Sequence, residues 1–151
     1  MKKHRKLKTV LLVIVGLFVL YNLVWLFLVW NRYHGFTEGM RELYSYQTYV
    51  IDEKDGYTYN VKIPDYLSFT GNLGIQPYEG GDCALIIWPG IFKETTYGAF
   101  VSDANGMGQG VMLTADGMPE EDAPEQIKQL VAENRESLDM LFEKAREQWD
   151  Y

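Results

Sequence analysis

The residues with a side chain able to do chemistry are few in this chain, and their spacing rarely suits a reaction. Asp103-x-Asn105-x-Met107-Gly108 resembles the start of a calcium loop. Such a loop needs oxygen ligands at positions one, three and five and a bidentate glutamate at twelve, where this chain has Met107 and Thr114. Two oxygens predict a plain turn and no metal ion. Gly106, Gly108 and Gly110 form a G-x-G-x-G run. A phosphate cradle needs a helix after the glycines, whereas the following residues read as a strand, so a turn and a bulge are expected. Ser45, Ser68, Ser102 and Ser137 stand in neither a G-x-S-x-G nor an S-x-x-K context. Cys83 is the only cysteine and lies in an apolar run that keeps a thiol protonated. His34 is the only histidine outside the N-terminal tail, close enough in sequence to pair with Glu38. Among the carboxylates, Asp65, Glu79 and Asp82 flank strand-like segments and are the first choices for acid–base work. No catalytic, metal or cofactor site emerges, and no cofactor is expected.

What remains is capacity for contact. Tyr66, Tyr78, Trp88, Tyr97 and Phe100 could form an aromatic surface that stacks a sugar or grips a peptide. Asn22 is the one strongly polar residue in a long apolar run, and an amide there seeks either local backbone or a neighbouring helix.

That run, Thr9 to Trp30, has no charge and no proline over 22 residues. As a helix it measures about 33 Å at roughly 1.5 Å per residue, enough for a hydrocarbon core of about 30 Å. It exceeds the apolar core of a cleaved signal peptide and lacks an Ala-x-Ala site, so an uncleaved signal-anchor is expected. Lys2, Lys3, Arg5, Lys6 and Lys8 precede it, against Arg32 just after it. The positive-inside rule then puts residues 1–8 in the cytoplasm and the rest outside, in a single pass. Trp25, Trp30 and Tyr33 suit an aromatic belt at the outer interface.

Beyond the anchor lie 9 basic and 21 acidic residues, a net −12. So acidic a surface argues against nucleic acid and anionic lipid heads as its ligands. About 115 residues from Thr37 onward suffice for one small core. With one cysteine the domain has no internal disulfide, a habit commoner in bacterial envelopes than in eukaryotic secretion.

Residues 31–46 read as a connector, with a short helix capped by Thr37 and running to Tyr44. Domain 47–151 then alternates with a period of two. Strands are expected at Gln47–Glu53, Tyr57–Ile63, Leu67–Gln76, Cys83–Trp88, Thr96–Ser102 and Gln109–Thr114. Lys54-Asp55-Gly56 is a hairpin turn. Gly71 marks a bulge or a close backbone approach. Cys83–Trp88 is apolar on both faces and should be covered on both, or lie in a curled sheet. A helix capped by Asp122 should follow, its stripe running from Ile127 through Leu130, Val131, Leu138, Leu141, Phe142 and Ala145 to Trp149.

The fold class is therefore α+β: a transmembrane helix, then an antiparallel meander of about six strands with a C-terminal amphipathic helix packed on it. The expected function is non-enzymatic, a membrane-anchored extracytoplasmic binding or assembly module whose partners are the lipid bilayer and another membrane or envelope protein. Two alternatives stay open: a small carboxylate-based hydrolase or carbohydrate-acting domain, and a membrane-helix partner acting through the anchor.

Overall fold

The computed structural model describes residues 2–43, 47–103 and 105–150. A long helix, α1 (Lys2–Tyr33), runs without a break through the apolar stretch and passes into a 3₁₀ turn, His34–Thr37. It is long and apolar enough to cross a membrane, and its residues from Lys6 to Tyr21 are exposed. Seven strands follow: β1 (Arg41–Leu43), β2 (Thr48–Lys54), β3 (Tyr57–Lys62), β4 (Asn72–Pro77), β5 (Cys83–Trp88), β6 (Thr96–Ser102) and β7 (Gly108–Leu113). They form one antiparallel sheet in sequence order. Two helices, α2 (Glu125–Glu133) and α3 (Arg135–Trp149), close the chain.

The alternation of period two decides which side of the sheet they cover. Tyr59, Val61, Leu73, Ile75, Leu85, Ile87, Ala99 and Val101 point to one face. There they are buried with Leu130, Val131, Leu138, Leu141, Phe142, Ala145 and Trp149 from the helices. Trp149 packs edge-on against Tyr59 at 5.8 Å and donates Nε1–H to the Phe36 carbonyl at 3.2 Å. The last helical residue thus fastens the end of the chain to the turn that follows α1.

The α+β class and the meander are as expected, and several local expectations need correction. The sheet has seven strands, not about six. β1 forms where a helix from Thr37 to Tyr44 was expected; Tyr44 itself, like Ser45, lies outside the described residues. Thr37 Oγ1 donates back to the His34 carbonyl, so it closes the 3₁₀ turn instead of opening a helix. Of the Leu67–Gln76 run only the part from Asn72 onward is strand, in β4. Ser68 N–H donates to the Asp65 carbonyl in a turn and Leu67 takes a φ of 63°, because α1 competes for this segment. The C-terminal helix is broken at Asn134. Its amide Nδ2 donates to the carbonyls of Leu130 (2.9 Å) and Ser102 (3.4 Å), a local bond that competes with a continuous helix. Pro124, not Asp122, stands at the N-cap, and no side chain caps α2. Gly106 serves a turn, but Gly108 and Gly110 lie in a strand of regular register with no bulge.

Leu138 is fully buried between α3 and the sheet. Replacing it with alanine should lower the unfolding free energy of the full chain by about 2–5 kcal/mol, the usual cost of emptying a buried leucine site. A denaturant melt in detergent checks this; an unchanged midpoint would mean that the helices are a loosely attached arm.

Candidate functional site

Two features organise the molecule beyond its core: a junction that locks α1 to the domain, and a sheet face that no helix covers.

The junction begins with spacing. Asn22, Trp25, Val29, Arg32, Tyr33 and Phe36 recur at three- or four-residue steps, so they share one stripe of a helix and the turn that continues it. Each except Val29 has a hydrogen bond or ring contact to spend. The Asn22 amide donates to the Phe18 carbonyl (2.7 Å) and its Oδ1 accepts from Tyr66 Oη–H (2.5 Å). Trp25 donates Nε1–H to the Ser68 carbonyl (2.6 Å) and meets Tyr66 edge-on. Arg32 donates to the Gly90 carbonyl (3.1 Å) and lies over the Phe36 ring. Tyr33 is 0% exposed; its hydroxyl donates to the Pro89 carbonyl (2.8 Å) and accepts from the Gly71 N–H (3.0 Å). Gly71 is the close approach expected at that position. A Cβ there would meet the Lys62 carbonyl oxygen and sit 2.7 Å from the Tyr33 ring. Beside the stripe, a groove of about 420 Å³ runs between α1 and the sheet, lined by Leu26, Phe27, Trp30, His34, Gln47, Tyr49 and Ile63 among others. His34 stacks on Trp30 at 3.9 Å and does not pair with Glu38.

The uncovered face is set by the other half of the alternation. Register places Asn60, Gly74, Ile86, Gly98 and Met112 in one row across β3 to β7. Ala84 faces Phe100, and Trp88 faces Thr96. Trp88 lies flat across Gly98, where a Cβ would come within 2.9 Å of its ring, and the Phe100 ring fills the place a side chain at Gly108 would take. Glycine thus lets two aromatic rings lie along the sheet. Phe100 and Met112 stay 47% and 44% exposed. Of the two arrangements expected for β5, cover on both faces is not found: among the described residues, helices lie on one side alone. At the end nearest α1 the face opens into a cleft of about 680 Å³ between Trp88, Met112, Phe69 and Phe92.

The five aromatic candidates therefore do not make one surface. Trp88 and Phe100 share the open face. Tyr97 points to the opposite side, 5.7 Å from Phe142 in the core. Tyr66 is committed to α1, and Tyr78 is exposed at the far end of the sheet beside Glu53 and Glu79. Met112 and Gly98 were not singled out from sequence, Arg32 was read only for orientation and Gly108 only as part of a turn and bulge; the glycines at alternate positions of β7 were the available signal.

The chemical candidates do not converge. Asp65 follows β3 at the α1 end and is ion-paired with Lys62 at 3.0 Å, whereas Glu79 and Asp82 lie in the loop after β4 at the other end. The strand between holds Asp65 roughly 17 Å from the other two at about 3.3 Å per residue, too far to share a substrate bond with either. Asp103 Oδ1 accepts from the N–H groups of Met107 (2.9 Å) and Asn105 (2.8 Å), which hold its carboxyl below the usual carboxylate range. That is a turn stabilising itself; Ala104 lies outside the described residues. No cluster of three metal-ligating side chains occurs among the described residues. Burial, then the nearby Asp82 charge, pushes the Cys83 thiol up to about 11, and it donates weakly to Asn134 Oδ1. It is a core thiol, not a nucleophile. Comparison with protein-family models, curated proteins and solved structures gave no match.

Tyr33→Phe keeps the ring and removes the hydroxyl, leaving the Gly71 N–H and the Pro89 carbonyl buried without this partner. The full chain should lose about 1–3 kcal/mol. A guanidinium melt in detergent measures it, and wild-type stability would show that the junction is not a fixed contact.

Proposed function

We propose that this chain is a single-pass membrane protein with its basic tail in the cytoplasm and its domain outside, acting as a binding or assembly module for another membrane or envelope protein. The open sheet face carries this reading. Trp88, Ile86, Phe100 and Met112 form an apolar centre, rimmed by Thr58, Asn60, Gln76 and Thr96. Aromatic and methionine side chains inside a polar rim, poor in charge, are the anatomy of a protein–protein interface. The candidate carboxylates Asp65, Glu79 and Asp82 are all exposed, and Asp65 lies at the opposite end of the sheet from the other two, which weakens the hydrolase alternative. Both ends of the Asn22 amide already have partners inside the chain, which weakens the case for pairing with a second membrane helix through it.

The orientation rests on charge. Lys2, Lys3, Arg5, Lys6 and Lys8 precede the apolar run and Arg32 alone follows it closely, the asymmetry of basic flanks that keeps an N-terminus inside.

One experiment tests side and face together. Met112 on the open face and Met140 on α3 are similarly exposed, at 44% and 46%. Met112→Cys and Met140→Cys chains in intact cells, or in spheroplasts where there is an outer membrane, are treated with a membrane-impermeant, thiol-reactive photo-crosslinker. The buried Cys83 does not compete. Both positions should label without lysis, and only Met112→Cys should give a discrete crosslinked protein, lost when Trp88→Ser is added. Labelling only after lysis overturns the orientation; equal crosslinking from both positions overturns the face.

A further inference from the structure

The junction fixes how deep the domain sits. Tyr66 and Ser68 are hydrogen-bonded to Asn22 and Trp25, and these lie eight and five residues before the end of the apolar run at Trp30. At roughly 1.5 Å per residue, the Pro64–Thr70 loop is held about 8–12 Å below that end. From this we propose, resting on the reading that α1 crosses the bilayer, that the loop around Tyr66–Phe69 and the neighbouring Phe92 enter the outer leaflet, so the domain has a second lipid contact besides its anchor.

Two observations meet here. Thr9 to Tyr21, the part of the apolar run ahead of the junction, spans only about 20 Å at roughly 1.5 Å per residue, short of a core of about 30 Å. The hydrocarbon must therefore extend past Asn22. Leu23, Val24, Leu26, Phe27 and Trp30 also remain exposed on α1 beyond Asn22, the last three along the groove beside the sheet. Were the bilayer to stop at Tyr21, all five would face water. Lipid that covers them reaches the same depth as the loop docked beside them.

The loop tips suit that depth. Leu67 is 43% and Phe92 70% exposed, and Phe92 meets Phe69 edge-on at 5.1 Å. Leu67 projects from a backbone with positive φ, a conformation that costs a leucine energy and places it at the tip of its turn. The charges nearby are managed: Asp65 is paired with Lys62, while Lys93 and Glu94 follow Phe92 on the return to the sheet. Apolar and aromatic tips bordered by charge are what enters the boundary between headgroups and acyl chains.

The test uses the full chain in phosphatidylcholine–phosphatidylglycerol vesicles, with bimane on Leu67→Cys, Phe92→Cys, Phe18→Cys (mid-helix) or Tyr78→Cys (far end of the sheet). Bromine on the acyl chains of the lipid should extinguish most bimane emission at positions 18, 67 and 92 and leave position 78 bright. Iodide in the buffer should do the reverse. Quenching by bromolipid at 18 but not at 67 and 92 overturns this inference and leaves the anchor reading standing. No quenching at 18 overturns both.

Discussion

The buried hydroxyl of Tyr33 is the contact on which the arrangement of this molecule depends. It joins three pieces of chain that are far apart in sequence: the end of α1, the Gly71 N–H before β4 and the Pro89 carbonyl after β5. A hydroxyl away from water must find such partners, because leaving them unmade costs more than the bonds contribute. The approach is so close that the loop side has to be glycine. Arg32, Trp25 and Asn22 repeat the same bargain at successive turns. The result is a helix whose final third is part of the domain, not a tether with a flexible joint.

This junction explains features that the sheet alone does not. The β3–β4 connection is a loop, although its residues alternate like a strand, because α1 holds Tyr66 and Ser68 in place. The 3₁₀ turn after α1 is fixed from the other direction by Trp149, so the first and last helices of the folded body share one boundary. A domain of about 115 residues without a disulfide has a modest core, and each such cross-link between distant segments counts. The acidic surface, the covered face and the open face then keep a set position relative to the helix axis. On the proposed topology, that gives the open face a fixed height above the bilayer.

Much of the fold was legible in the sequence because it rests on local patterns. Alternation located β5 and β6 at their observed bounds and β2, β3 and β7 to within a residue at each end. The three- and four-residue spacing found the apolar stripe of α2 and α3 down to Trp149. The expectations that failed did so where particular bonds outbid the broad pattern: the Asn134 amide breaking the helix, α1 claiming Leu67–Thr70, and β1 pairing with β2 where a helix was expected. The docking stripe was hidden because hydropathy cannot separate one apolar face from another inside an apolar run. Only the side chains with polar tips at Asn22, Trp25, Arg32 and Tyr33 mark it, and they read equally well as a polar exception and an aromatic belt. The open face was half visible. β5 was apolar on both sides, but no local pattern says that the second side would go uncovered, or that Tyr97 would turn away from Trp88.

The central claim is that α1 and the domain form one rigid body, and a distance distribution tests it most directly. Spin labels at Val19→Cys, on the unpacked part of α1, and Thr58→Cys, on the open sheet face, would be measured by pulsed electron resonance in lipid vesicles. A docked helix predicts a single narrow distribution that broadens in Tyr33→Phe. A broad distribution in the unmodified junction, unchanged by that substitution, would contradict the account and make α1 a flexible tether.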